Sequence, residues 1–201
     1  MTLLVGRQAP DFTAPAVLGS GEITEQYNFA QETKNKYALI FFYPLDFTFV
    51  CPSELIALNH RLDAFKERGV EVLGISIDSH FTHNAWRNTP IEKGGIGPLN
   101  YTLIGDMNHS ITQAYGVEHP EAGVAFRGAF MIDKNGIVRS QIVNDLPIGR
   151  NVDEIIRIFD AIAHFEEHGE VCPAGWNKGE KAMNASPDGV ADYLAHEADK
   201  L

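Results

Sequence analysis

The chain has 201 residues, with 16 Lys and Arg against 27 Asp and Glu, a formal net charge of −11. Hydrophobic residues at 44% and charged residues at 21% fit a globular chain with one main core, which excludes wholesale disorder. That negative charge repels nucleic acid and anionic lipid, and no apolar run approaches the ~20 residues of a membrane span, so no nucleic acid and no membrane are expected as partners.

The opening MTLLVGRQAPDF has no basic region followed by a long apolar run. No secretory signal is read, and the cytoplasm is the expected compartment. Residues 37–44 (YALIFFYP) form an apolar run ended by proline, suited to a strand covered on both faces. Ser53–Arg68 carries Leu55, Leu58, Leu62 and Phe65 at helical spacing, and Gly69 closes this amphipathic helix. Residues 70–78 (VEVLGISID) repeat the strand pattern, so strand, helix and strand make a βαβ unit with parallel strands. A helix over 79–88, a short strand over 101–105 and a short helix over 109–115 follow. Strands over 127–133 and 137–144 flank Lys134-Asn135-Gly136, a hairpin signal. A second strong helix starts after Asn151 as N-cap, with Val152, Ile155, Ile156, Phe159, Ile162 and Ala163 on one face.

The fold class is therefore α/β, a mixed central sheet flanked by helices. From Glu166 the composition changes, and Pro173, Gly175, Gly179, Pro187 and Gly189 interrupt any long element before a final helix over 190–199. The expected division is a body over 1–165 and a C-terminal arm over 166–201, too small to fold alone and packed on the body or on a neighbouring subunit.

The two cysteines, Cys51 and Cys172, are 172 − 51 = 121 positions apart. That spacing excludes a disulfide-dense scaffold, a CxxC redox pair and a zinc ribbon, leaving either two buried thiols or reactive chemistry. Cys51 stands where the first core strand passes into the first strong helix, with Pro52 suited to the first helical turn. Unpaired N–H groups and the positive end of the helix dipole favour a thiolate there. Thr48, three residues upstream, is placed to aim its hydroxyl at the same pocket, and Pro44 to shield it from bulk water. The eight histidines are read as offering no HxxxH ligand set and hence no metal site, and no cofactor is expected.

Pro44-x-x-x-Thr48-x-x-Cys51, within PLDFTFVCP, resembles the active-site motif of the peroxiredoxins. Val171-Cys172-Pro173-Ala174-Gly175-Trp176 is similar to the resolving-cysteine motif of their typical two-cysteine branch. The similarity runs from Gly6-x-x-Ala9-Pro10-Asp11-Phe12 to the tail. It implies a thioredoxin-like fold and a thiol peroxidase acting on hydrogen peroxide and small alkyl hydroperoxides. Cys51 would be the peroxidatic sulfur, with Thr48 and Arg127 (in Phe126-Arg127-Gly128) completing its pocket and Glu54 and Arg150 orienting it. Arginine suits that role because it stays charged and offers several donors in a fixed fork. Cys172 would condense with a Cys51 sulfenic acid to form a disulfide, in this branch between subunits of a head-to-tail homodimer.

The resemblance further implies thioredoxin or a flavoprotein disulfide reductase as electron donor, and a decamer of five dimers with Phe81-Thr82-His83 at the dimer–dimer contact. Gly94-Gly95-Ile96-Gly97 resembles the glycine loop of members that overoxidise readily, whereas the usual Tyr-Phe of the final helix is here Tyr193-Leu194. Two other readings remain beside the peroxidase: a ring-shaped holdase chaperone or redox-signalling partner, and a thioredoxin-type oxidoreductase, which the missing CxxC opposes.

Overall fold

Seven strands form one mixed sheet in the order β2-β1-β5-β4-β3-β6-β7 in a computed structural model that describes residues 3–200. β3 (Tyr37–Phe42), β4 (Val70–Ser76) and β5 (Thr102–Gly105) run parallel at the centre. β6 (Arg127–Ile132) and β7 (Val138–Asn144) extend the sheet antiparallel beyond β3. On the other side β1 (Thr13–Val17) pairs antiparallel with β5, and β2 (Ile23–Asn28) forms the edge.

Every residue of β3 is buried, as a continuous apolar run between two covered faces requires. On one face Ala38, Ile40 and Phe42 join Leu73, Ile75, Ile104 and Phe130 in a core completed by Ile111 of α5 (Ser110–Ala114) and by Tyr115. Against the other face lies α2 (Cys51–His60), through Leu55. Gly74 leaves room for its neighbour on β5, since a Cβ there would stand 2.7 Å from Leu103 Cδ2, while Leu55 Cδ2 would be at an ordinary 3.5 Å.

The structure corrects several boundaries. The helix expected over Ser53–Arg68 is two, α2 and α3 (Leu62–Glu67), because Arg61 takes φ −104° and ψ 5° and its N–H also bonds back to Leu58, tightening the turn. β1, β2 and the short α1 (Phe29–Glu32) carry no alternating apolar pattern, and β2 is largely exposed, so they were not expected. The hairpin at 134–136 closes through a bond from Gly136 N–H to the Asp133 carbonyl at 2.9 Å, with only Gly136 at positive φ. α4 (His80–Arg87) begins after Ser79, whose side chain accepts from Thr82 N–H.

The chain divides into two compact units, Met1–Val152 and Asp153–Leu201. Nearly all of α6 (Val152–His168) thus goes with the arm, and the helix continues through the Glu166 position at which a break was expected. α7 (Pro187–Glu197) begins three residues before the expected start. Ser186 caps it by accepting from Gly189 N–H at 3.1 Å, and Pro187 occupies the first turn, where its missing N–H costs nothing. Among the described residues no helix is long and apolar enough to cross a membrane.

Candidate active site

The loop from Tyr43 to Val50 carries the chain from β3 to α2, and α2 begins at Cys51 with Pro52 in its first turn. Val50, the residue before the helix, offers no side-chain cap; its carbonyl accepts from Ser53 N–H at 3.1 Å and Glu54 N–H at 3.4 Å, and Pro52 has no N–H, so the unpaired first-turn donors expected beside Cys51 are largely taken up by the helix start. Thr48 Oγ1 lies 3.0 Å from Cys51 Sγ and 2.7 Å from the Leu45 carbonyl. A hydroxyl has one proton, so these two contacts describe alternatives. A thiol at Cys51 donates to Thr48, which then donates to Leu45; a thiolate instead receives the Thr48 proton.

Arg127, the first residue of β6, directs Nη1 to Cys51 Sγ at 3.4 Å and to Glu54 Oε2 at 2.8 Å, while Nε donates to the Leu146 carbonyl at 2.6 Å. Glu54, one turn along α2, also accepts from Arg150: from its backbone N–H at 2.8 Å, Nε at 2.9 Å and Nη2 at 3.0 Å. Arg150 Nη1 is bound by the Gly128 carbonyl at 2.6 Å, and its guanidinium stacks 3.3 Å over the Phe41 ring. The structure thus brings Thr48, Cys51, Glu54, Arg127 and Arg150 together.

All of Cys51, Glu54, Arg127 and Arg150 are buried. Burial works against ionisation of Glu54, but the hydrogen bonds and charge of Arg150, with the charge of Arg127, outweigh it and hold the carboxyl below its usual range. Burial draws Arg150 down to about 10 despite its Glu54 partner, leaving it charged at neutral pH. Two guanidiniums therefore face one carboxylate. A thiolate at Cys51 completes the neutral balance, whereas a thiol leaves one net positive charge buried.

Thr48 and Arg127, the two residues that touch Cys51 Sγ, also line a mostly apolar cleft of about 430 Å³, together with Pro44, Phe49, Val50, Leu146 and Pro147. Pro44 is buried in its wall, and Phe49 is almost wholly exposed at its rim.

Three residues absent from the sequence reading of this site hold its loop. Tyr43 Oη donates to Asp46 Oδ1 at 2.8 Å, and His83 Nδ1 meets Asp46 Oδ2 at 2.7 Å while its Nε2 donates to the Ile104 carbonyl at 3.0 Å. Burial pushes the Asp46 carboxyl up, partly offset by the bond and charge of His83. Asp46 N–H is held in turn by Asp78 Oδ2 at 2.9 Å. Next to this anchor Phe47 takes a positive φ of 54°, a strained conformation for an aromatic residue, with its ring 5.7 Å from that of Trp86. His83 is fully buried, so of the Phe81-Thr82-His83 segment only Phe81 is largely exposed.

Gly94–Gly97 is a fixed loop: Trp86 Nε1 donates to the Gly94 carbonyl at 2.9 Å, and Gly94 and Gly97 both take positive φ. In the second unit Cys172 is half-buried, and Sγ donates to the Ala161 carbonyl of α6 at 3.6 Å. Tyr193 is buried, and Leu194, where the ring is lost, is exposed. His164 and His168 do form an HxxxH pair on α6, contrary to the expectation of none, with rings 4.6 Å apart. Among the described residues no group of three or more His, Cys, Asp or Glu is arranged to hold a metal ion.

Residues 5–141 match the AhpC/TSA family, and residues 161–196 match the C-terminal domain of 1-Cys peroxiredoxin. Alkyl hydroperoxide reductase C of Helicobacter pylori (strain ATCC 700392 / 26695) is 53% identical over 199 residues, 99% of this chain and 100% of that protein. Peroxiredoxin-2 of Mus musculus is 48% identical over 191 residues, 95% of each. The reduced crystal structure of the Plasmodium vivax 2-Cys peroxiredoxin, 52% identical, superposes with a TM-score of 0.93 over 96% of this chain and 100% of that one. The fold is accordingly the thioredoxin-like one expected.

Proposed function

Since the chain belongs to the AhpC/TSA family and is a thiol peroxidase of the peroxiredoxin type, we propose that Cys51 is the sulfur that attacks peroxide and Cys172 the one that resolves the product. The observation that carries this is the placement of Cys51 Sγ within reach of Thr48 and Arg127, in a buried cluster with one excess positive charge.

The Cys51 thiolate attacks the terminal oxygen of ROOH, the O–O bond breaks, and RO⁻ leaves as the alcohol after taking a proton. The product is Cys51 sulfenic acid. Arg127, pinned by Glu54 and the Leu146 carbonyl, keeps its charge beside the sulfur as negative charge moves to the leaving oxygen. Thr48 donates its single proton toward the reacting atoms when the sulfur is ionised. Pro44 closes the pocket to water, and Glu54 and Arg150 act through Arg127 as positioning residues. The apolar lining of the cleft suits the alkyl part of a small hydroperoxide as well as hydrogen peroxide itself.

In the second step the Cys172 thiol attacks the sulfenic sulfur of Cys51 in a partner subunit, releasing water and forming a disulfide. A dithiol reductant, thioredoxin or a flavoprotein disulfide reductase, then returns both sulfurs to thiols with two electrons. A reducing compartment such as the cytoplasm suits this cycle, and a homodimer assembled five-fold into a decamer is the proposed working form. The test is peroxide consumption: Cys51→Ser is expected to abolish it, and wild-type turnover in that variant would refute the assignment. Non-reducing electrophoresis after one equivalent of peroxide is expected to give a dimer-sized band; a monomer-sized disulfide would refute the intersubunit pairing.

A further inference from the structure

The Cys172 loop is tied to α6 at two points on either side of its sulfur. Arg157, Ala161 and His164 lie on one stripe of that helix, at steps of four and three. The Ala161 carbonyl accepts from Cys172 Sγ. One turn before it, Arg157 Nη1 donates to the Trp176 carbonyl at 2.9 Å, with its Nε and Nη2 fixed by Glu154 at 2.6 and 2.8 Å. One turn after it, His164 Nε2 donates to Glu170 Oε2 at 3.1 Å, and its ring lies 4.8 Å from that of Trp176. The segment from Glu170 to Trp176 is thus fastened at both ends.

The loop is also braced within itself. Val171 and Met183 exchange backbone hydrogen bonds at 2.8 and 3.0 Å, and Trp176 Nε1 donates to the Glu180 carbonyl at 3.1 Å. Burial pushes the Cys172 thiol up; Arg157 draws it down, and Glu170 adds to the rise. A thiol so held is a poor nucleophile, because only the thiolate attacks.

We propose that Arg157 and His164 are positioning residues of the resolving step, clipping the Cys172 loop to α6 with its sulfur turned onto the Ala161 carbonyl, so that opening of the clips sets how fast Cys172 becomes available. This rests on the reading of Cys172 as the resolving sulfur. While the clips stay closed, the Cys51 sulfenic acid meets a second peroxide, which transfers one oxygen to give sulfinic acid and leaves as water or alcohol. The strength of the clips therefore sets the balance between recycling and overoxidation.

The experiment measures iodoacetamide alkylation of Cys172 in the full-length, reduced Cys51→Ser protein, where no peroxidase chemistry intervenes. His164→Phe keeps a ring against Trp176 but deletes the bond to Glu170, and Arg157→Met deletes the bond to the Trp176 carbonyl. Each is expected to raise the alkylation rate at the high-pH plateau, where the sulfur is fully thiolate, by about three- to tenfold, the effect of one partly exposed hydrogen bond; at neutral pH Arg157→Met also removes a charge that lowers the thiol pKa, which offsets part of its gain. The midpoint of the alkylation pH profile, set by burial together with Arg157 and Glu170, is expected to fall in His164→Phe. Glu170→Met, which leaves every helix side chain in place and removes the acceptor, is expected to act in the same direction and guards against a misfolded variant.

With Cys51 restored and one equivalent of hydrogen peroxide added, sulfenic acid formation is expected at the wild-type rate and disulfide formation faster by the same factor. Unchanged or slower alkylation in both His164→Phe and Arg157→Met would overturn the proposal. A wild-type protein that oxidises Cys51 without ever forming the Cys51–Cys172 disulfide would instead overturn the resolving role beneath it, an outcome the alkylation measurement cannot mimic.

Discussion

Glu54 is the residue on which both arginines of the site depend, and Glu54→Gln isolates that dependence. Its Oε1 accepts from the backbone N–H and Nε of Arg150, and its Oε2 from Arg127 Nη1 and Arg150 Nη2. A carboxamide has one acceptor oxygen, so in either orientation its NH₂ faces two donors. The substitution also leaves two guanidiniums buried without their anion. Removing one partner from a buried ion pair costs ~3–5 kcal/mol. For a chain of this size that lowers Tm by ~6–20 °C. The assay is thermal and urea unfolding of the reduced protein at equal concentration, beside stopped-flow peroxide reduction. Arg127, released from one of its two anchors, is expected to lose its alignment on Sγ and lower the rate ~10²-fold. Because the Glu54 carboxyl sits below its usual range when folded, its stabilisation is fully present above the unfolded value and lost as pH falls through the folded one. The gap between wild type and Glu54→Gln is thus expected to stay constant from pH 5 to 8 and to close below about pH 4. A variant with wild-type Tm and rate would refute the reasoning.

Other outcomes follow from the same geometry. Arg127→Gln is expected to cut the peroxide rate ~10²–10³-fold in stopped-flow, the effect of removing one donor from a developing anion. Thr48→Val is expected to lower the rate ~10²-fold while Thr48→Ser, which keeps the hydroxyl, stays near wild type; equal loss in both would point to shape rather than proton donation. Gly74→Ala is expected to destabilise by ~1–3 kcal/mol in urea unfolding, because the new methyl meets Leu103 across the sheet.

The central strands and the Cys51 helix were legible because they depend on local pattern: a run buried on both faces at 37–44, a 3–4 spacing from Leu55 to Phe65, and a proline just after a cysteine. Thr48 and Pro44 were legible for the same reason, being within one loop of Cys51. Arg127 and Arg150 entered only through the family resemblance, since no rule of spacing brings position 127 or 150 to position 54; the pairing of β3 with β6 brings Arg127 near, and Arg150 follows β7, which pairs with β6. The Tyr43–Asp46–His83 anchor was not legible at all, because His83 lies on α4 and meets Asp46 only in the folded chain. The final helix was legible but its start was read three residues late, because Ser186 and Pro187, residues of turn character, act there as cap and first turn.

One measurement tests the central assignment most directly: intact mass and peptide mapping of the reduced Cys172→Ser protein after one equivalent of hydrogen peroxide. The account predicts the gain of a single oxygen per chain, located on Cys51 and trapped by a sulfenic-acid reagent. Oxidation spread over other residues, or a Cys51 left unmodified while peroxide disappears, would contradict it.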